Sequence, residues 1–177
     1  NLVNTKSSGT LFIAPANFRD NYECLYNKIL QHDQFVKPHA VLVKKRDSTK
    51  EVVNWWAKKN IKVETAGNVF DIYFYKNLLE IFLKYSFIAT PYMSSAAIFA
   101  AAIKKKILLV PDLVIKEFED LEITQLHKLD SDTYNDIRNV WINILSSDVD
   151  KSSLQAKKLL GYEFLDNIDN LRNKLTN

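Results

Sequence analysis

Apolar residues alternate between two patterns over the first 110 positions. Short continuous runs recur at Leu11–Ala14 (LFIA), Ala40–Lys44 (AVLVK), Phe87–Thr90 (FIAT) and Ile107–Val110 (ILLV), and Ile61–Glu64 reads as a further strand, third in chain order. Their length and continuity predict strands, buried on both faces. Between them the apolar residues fall three to four apart, the spacing of one helix face. Arg19–Gln34 places Tyr22, Leu25, Tyr26, Ile29 and Leu30 on such a face. The next helix is capped by Ser48 or Thr49 and uses Val52, Val53, Trp55 and Trp56. Val69–Tyr85 follows, with Phe70, Tyr73, Phe74, Leu78, Ile81 and Phe82, and then the alanine-rich Ala96–Lys106. Beyond Leu113 the strand-like runs stop. Val114–Leu129, Asp132–Leu145 and Ser153–Leu175 predict helices, the last carrying Phe164, Leu165, Ile168, Leu171 and Leu175 at steady spacing.

Strands alternating with helices, followed by helices alone, predict an α/β protein. The expected architecture is a Rossmann-like three-layer domain with a parallel sheet of about five strands, plus C-terminal helices. Residues 1–9 read as a linker remnant, 10–130 as the Rossmann-like domain and 131–177 as helices packing on it. Ligands of such sheets bind outside the carboxyl ends of the strands. Ser94-Ser95, Arg46-Asp47-Ser48, Ala66-Gly67-Asn68 and Pro111-Asp112 all fall at such ends.

Composition narrows the class. A hydrophobic share of 47% and an aromatic share of 12% exclude a disordered chain. Net charge is +3, and the basic residues form no stripe interleaved with aromatics, so no nucleic-acid partner is expected. Cys24 is the one cysteine, which excludes an internal disulfide and suits a reducing, cytoplasmic setting. It reads as a small buried hydrophobe on a helix. No apolar run approaches the ~18 residues of a membrane span. The first residue is Asn rather than Met, which fits a fragment or a processed product.

The chemistry concentrates between Ser86 and Leu113. There a strand leads through Pro91-Tyr92-Met93-Ser94-Ser95 into a helix made almost wholly of alanine. A helix N-terminus offers unpaired N–H groups and the positive end of a dipole, so it suits an anion. Two hydroxyls add donors, although a serine there is also an ordinary N-cap. Glycine-rich phosphate loops are absent, so a phosphate site has to use serine hydroxyls and helix ends. Lys44 and Arg46 close the second strand. Either can meet a phosphate or carboxylate, or simply sit in a solvated turn, with Ser48 or Asp47 as the cap of the next helix. Gly67 ends the third strand. Asp112 can accept from a sugar hydroxyl or cap the following helix. His32, His39 and His127 have no partner at metal-ligand spacing, so no metal is expected. The Asp-x-Asp pairs at 130–132 and 148–150 read as turns between helices.

The segment Phe87–Leu113, with its Pro-Tyr-Met-Ser-Ser turn and Pro111-Asp112 exit, resembles the donor-binding half of GT-B glycosyltransferases of bacterial surface polysaccharide synthesis. Teichoic-acid glycerophosphate transferases, capsule-export-linked transferases and bacterial sialyltransferases carry comparable turns. The resemblance implies that Ser94 and Ser95 hold the phosphate of a nucleotide-activated sugar, which is substrate and not cofactor. A His-Pro pair typical of those families is replaced here by Lys45-Arg46-Asp47, with Arg46 as the substitute cation. A second, acceptor-binding N-terminal domain is implied beyond this chain, and peripheral association of the whole protein with the inner face of a membrane is open. A sugar-nucleotide epimerase of the same architecture, or a non-catalytic α/β interaction module, are the alternatives.

Overall fold

In the computed structural model the described residues are 7–14, 22–31, 35–91, 94–110, 139, 142–145 and 148–160. The elements run in the order β1 (Thr10–Ile13), α1 (Tyr22–Gln31), β2 (His39–Leu42), a 3-10 turn (Lys45–Asp47), α2 (Lys50–Ala57), β3 (Lys62–Glu64), α3 (Phe74–Lys84), β4 (Phe87–Thr90), α4 (Ser95–Ala102), β5 (Lys106–Leu109) and α5 (Val149–Leu159). The expected α/β class is present: five strands form one all-parallel sheet, ordered β3-β2-β1-β4-β5.

The continuous apolar runs follow from this layering. Successive strand residues point to opposite faces, and both faces are covered. Leu11, Ala40, Leu42 and Ile88 pack with Leu78, Ile81 and Phe82 of α3, and with the alanines of α4. Phe12, Val41, Val43 and Ala89 pack on the other face with Leu25 and Ile29 of α1, and with Val52 and Trp56 of α2. The steps β1 to β2 to β3 run outward under α1 and α2. The chain then returns to β4 and proceeds to β5 under α3 and α4, on the opposite face. One crossover hand, used in two directions, requires that change of face.

Several boundaries differ from the expectation. The helix expected from Val69 begins only at Phe74. Asn68 and Asp71 divert the backbone first: Asn68 Oδ1 accepts from Phe70 N at 3.1 Å, and Asp71 Oδ1 from Tyr73 N at 2.9 Å. Such short side chains compete with helical pairing. Phe70 and Tyr73, expected on a buried face, are therefore exposed, as are Leu30 and Val53. Cys24 lies on a helix but is exposed, not buried. Thr49, not Ser48 or Asp47, caps α2, accepting from Val52 N at 3.3 Å. Trp56 is fully buried while Trp55 is only partly so and meets the Tyr22 and Tyr26 rings edge to face. Asp148 and Asp150, read as a turn, cap and begin α5. The region 114–129, and 161–175 of the last expected helix, lie outside the described residues.

α5 packs against α4 through the buried Ala156. Ser153 Oγ donates to the Ala102 carbonyl at 2.8 Å, meeting one of the carbonyls that a helix C-terminus leaves over. Residues 7–9 are tied to the junction of α3 and β4. Ser8 N donates to Lys84 O, and the Gly9 carbonyl accepts from Ser86 N and Phe87 N. No helix among the described residues is long and apolar enough to cross a membrane.

Candidate functional site

The strand order sets the geometry of the carboxyl edge. β1 and β4 are neighbours, yet the chain leaves β1 toward β2 and leaves β4 toward β5. The helices that follow them, α1 and α4, pack on opposite faces, which makes this the topological switch point, the place where such sheets bind their ligands. Pro91, which follows β4, and Ser94 and Ser95, which open α4, stand at that point. Sequence patterning placed the turn at a strand end; pairing with β1 puts it at the centre of the sheet.

Thr90, the last residue of β4, and Pro91 are buried, Ser94 is half-buried and Ser95 exposed. Ser94 has extended backbone and caps α4, its Oγ accepting from Ala97 N at 3.2 Å. The cap and anion readings are compatible at this residue. A hydroxyl that accepts from the helix still has its own proton to donate. The N–H groups of Ser95 and Ala96, first in the helix, have no carbonyl of their own helix to pair with. Ala97, Ala100, Ala101 and Ala102 are buried, so the small side chains let α4 lie close on the sheet.

The other candidates spread along the same edge. Lys44 and Arg46 follow β2, on the far side of β1 from β4. Two strand spacings, about 10 Å, separate the two strand ends, within reach of a long cationic side chain. Both cations are exposed, and Arg46 Nε lies 3.8 Å from Asp47 Oδ1. Gly67 follows β3, about 14 Å of strand spacings from β4. Its φ of +96° is the left-handed conformation that favours glycine, so the turn itself accounts for it. Asp112 lies outside the described residues. The fold thus sets Pro91, Ser94 and Ser95 after β4, Lys44 and Arg46 two strands away after β2, and Gly67 three strands away after β3.

One polar cluster escaped the sequence reading. Glu64 is buried at the end of β3, with Lys62 Nζ at 2.8 Å, Lys84 Nζ at 3.4 Å and the Tyr85 hydroxyl donating at 3.0 Å. Burial opposes ionisation, but the hydrogen bond and charge of Lys62, the charge of Lys84 and the Tyr85 hydroxyl outweigh it. The carboxyl is held below its ordinary value. Burial, then the adjacent Glu64 charge, pushes the Tyr85 hydroxyl well up. Glu64 is therefore a carboxylate and Tyr85 a neutral donor at neutral pH, the pattern of a structural clamp. The available signal was alternation: with Ile61 and Val63 facing one layer, Lys62 and Glu64 must face the other.

No group of three or more His, Cys, Asp or Glu side chains that could hold a metal occurs among the described residues. Comparison with protein-family models, curated proteins and solved structures found no match. The functional reading therefore rests on the edge geometry and on the residues themselves.

Proposed function

We propose that the chain is the donor-binding half of a metal-independent glycosyltransferase, taking a nucleotide-activated sugar for surface polysaccharide synthesis. One observation carries the reading: the Ser94-Ser95 turn opens α4 at the switch point between β1 and β4. The N–H groups of Ser95 and Ala96, together with the two hydroxyls, would hold the donor phosphate. Arg46 and Lys44 would meet its remaining charge from the β2 side. When the glycosidic bond to the nucleotide breaks, negative charge grows on the leaving phosphate. Fixed donors and cations stabilise that charge without reorganising. The Asp148-x-Asp150 pair is committed elsewhere, as cap of α5 and as the partner of Lys104 Nζ at 2.7 Å. The acceptor and the catalytic base would come from a further domain facing this edge.

Titration calorimetry with CMP, CDP and UDP tests the reading. One of the three is expected to bind. Ser94→Asp keeps a good N-cap but sets a negative charge beside the phosphate, so it should weaken binding about tenfold or more while leaving the melting temperature near its original value. Failure of all three nucleotides to bind would overturn the reading.

A further inference from the structure

The connection between β3 and α3, with the first turn of α3, carries an apolar crest. Val69, Phe70, Ile72, Tyr73 and Tyr75 are all exposed, Phe70 by 91% and Ile72 by 86%. Hydrogen bonds fix the segment that bears them. Beyond the Asn68 and Asp71 side-chain bonds already described, Asp71 N donates to Asn68 O and Phe74 N to Asp71 O, both at 2.9 Å. Asn77 Nδ2 donates to Ala66 O at 3.2 Å and ties the segment to α3. The Tyr75 ring lies 5.7 Å from the Phe99 ring of α4, centroid to centroid, so the crest adjoins the face that α3 and α4 share. The backbone thus holds five large apolar side chains out in water, against the usual direction of burial.

Area and charge together point to a second copy of the chain. At these exposures the five residues leave about 600 Å² uncovered, taking about 200 Å² for an aromatic side chain and about 100 Å² for an aliphatic one. That is at the upper end of the largest patch on a typical monomer. A standard interface takes about 800 Å² from each partner, apolar at the centre and polar at the rim, so the crest and its polar neighbours suffice for one. Two charges accompany the apolar residues. Asp71 lies within the crest and Lys76 follows Tyr75; both are exposed, and neither forms an ion pair with another described residue. Asp71 Oδ1 accepts from Tyr73 N, which leaves the second carboxylate oxygen for a partner. An acid in the middle of the apolar residues opposes entry into lipid. A two-fold contact sets one patch against itself, so that each residue meets its counterpart's partner twice. One acid and one base around a shared apolar centre satisfy that condition.

We propose that the chain forms a two-fold dimer through this crest, with Phe70 and Ile72 at the centre and Asp71 facing the partner's Lys76. The proposal does not depend on nucleotide binding. Sedimentation velocity from about 1 μM to about 1 mM protein tests it, and a concentration-dependent dimer is expected. Phe70→Ser combined with Ile72→Ser should weaken association at least about tenfold. Because both side chains are exposed, the far-ultraviolet circular dichroism of the variant should match the parent. Lys76→Glu sets like charges face to face and should also weaken the dimer. Adding Asp71→Asn, which keeps an acceptor for Tyr73 N, removes that repulsion and should recover part of the loss. Three results would overturn the proposal: a parent that stays monomeric at the highest concentration, a dimer undiminished in the folded Phe70→Ser/Ile72→Ser variant, or a Lys76→Glu loss that Asp71→Asn does not relieve.

Discussion

At the residue scale, small sterics and single charges decide much of this structure. Gly9 has a φ of +78°, and a Cβ built on it would lie 2.1 Å from the Pro38 carbonyl oxygen. Gly9→Ala should therefore destabilise the protein by about 2 kcal/mol or more, measured by urea unfolding. Glu64 makes a pH-dependent contribution whose sign is fixed by its neighbours. Its folded-state value lies below the ordinary 4.5. The contribution is complete above that ordinary value and is lost as pH falls through the lower folded one. Stability measured from neutral pH down into the acid range should fall more steeply for the parent than for Glu64→Gln. Equal acid slopes would show that the cluster contributes no such linkage. These features were hard to read from sequence for different reasons. Glycine is permissive anywhere, and only the positive φ and the approach of Pro38, both set by the fold, make Gly9 obligatory. Glu64 stood at an inward position of its strand, but Tyr85 and Lys84 lie some twenty positions away along the chain.

At the scale of elements, patterning located the strands and misjudged some helix ends. Leu11–Ala14 and Phe87–Thr90 were legible because strands covered on both faces are apolar at every position. Phe70 and Tyr73 were misread because helical spacing of apolar residues is the same whether a face is buried or held out in water. The local chemistry of Asn68 and Asp71 settled the matter, and it ends the turn only at Phe74. The Asp148 cap was mistaken for a turn for a related reason, since acidic residues favour both places. C-terminal helices packing on the domain were expected, but the particular contact between α4 and α5 was not legible. It rests on small groups, Ala156 against the alanines of α4 and Ser153 on the Ala102 carbonyl. Ser153→Ala should leave that carbonyl buried without its donor, costing about 1–2 kcal/mol in denaturant unfolding. The exposed Lys104–Asp150 pair beside it should matter far less, and its contribution should fade with added salt.

At the scale of the molecule, strand order makes the candidate site. The sequence indicated an all-parallel sheet, but apart from β3, with its Lys62 and Glu64, the strand cores are similarly apolar, so the pattern did not say which strands are central. The order β3-β2-β1-β4-β5 puts β4 beside β1 and so sets Ser94 and Ser95 at the switch point. It also sets Gly67, which follows β3, three strands away from β4. The most direct test of the central claim is an amide chemical-shift titration with CMP, CDP and UDP. One nucleotide is predicted to shift Ser95, Ala96 and Ala97 most strongly, with smaller changes at Lys44–Asp47 and none along α5. Titrations that leave the start of α4 unmoved, or shifts confined to another part of the molecule, would contradict the account.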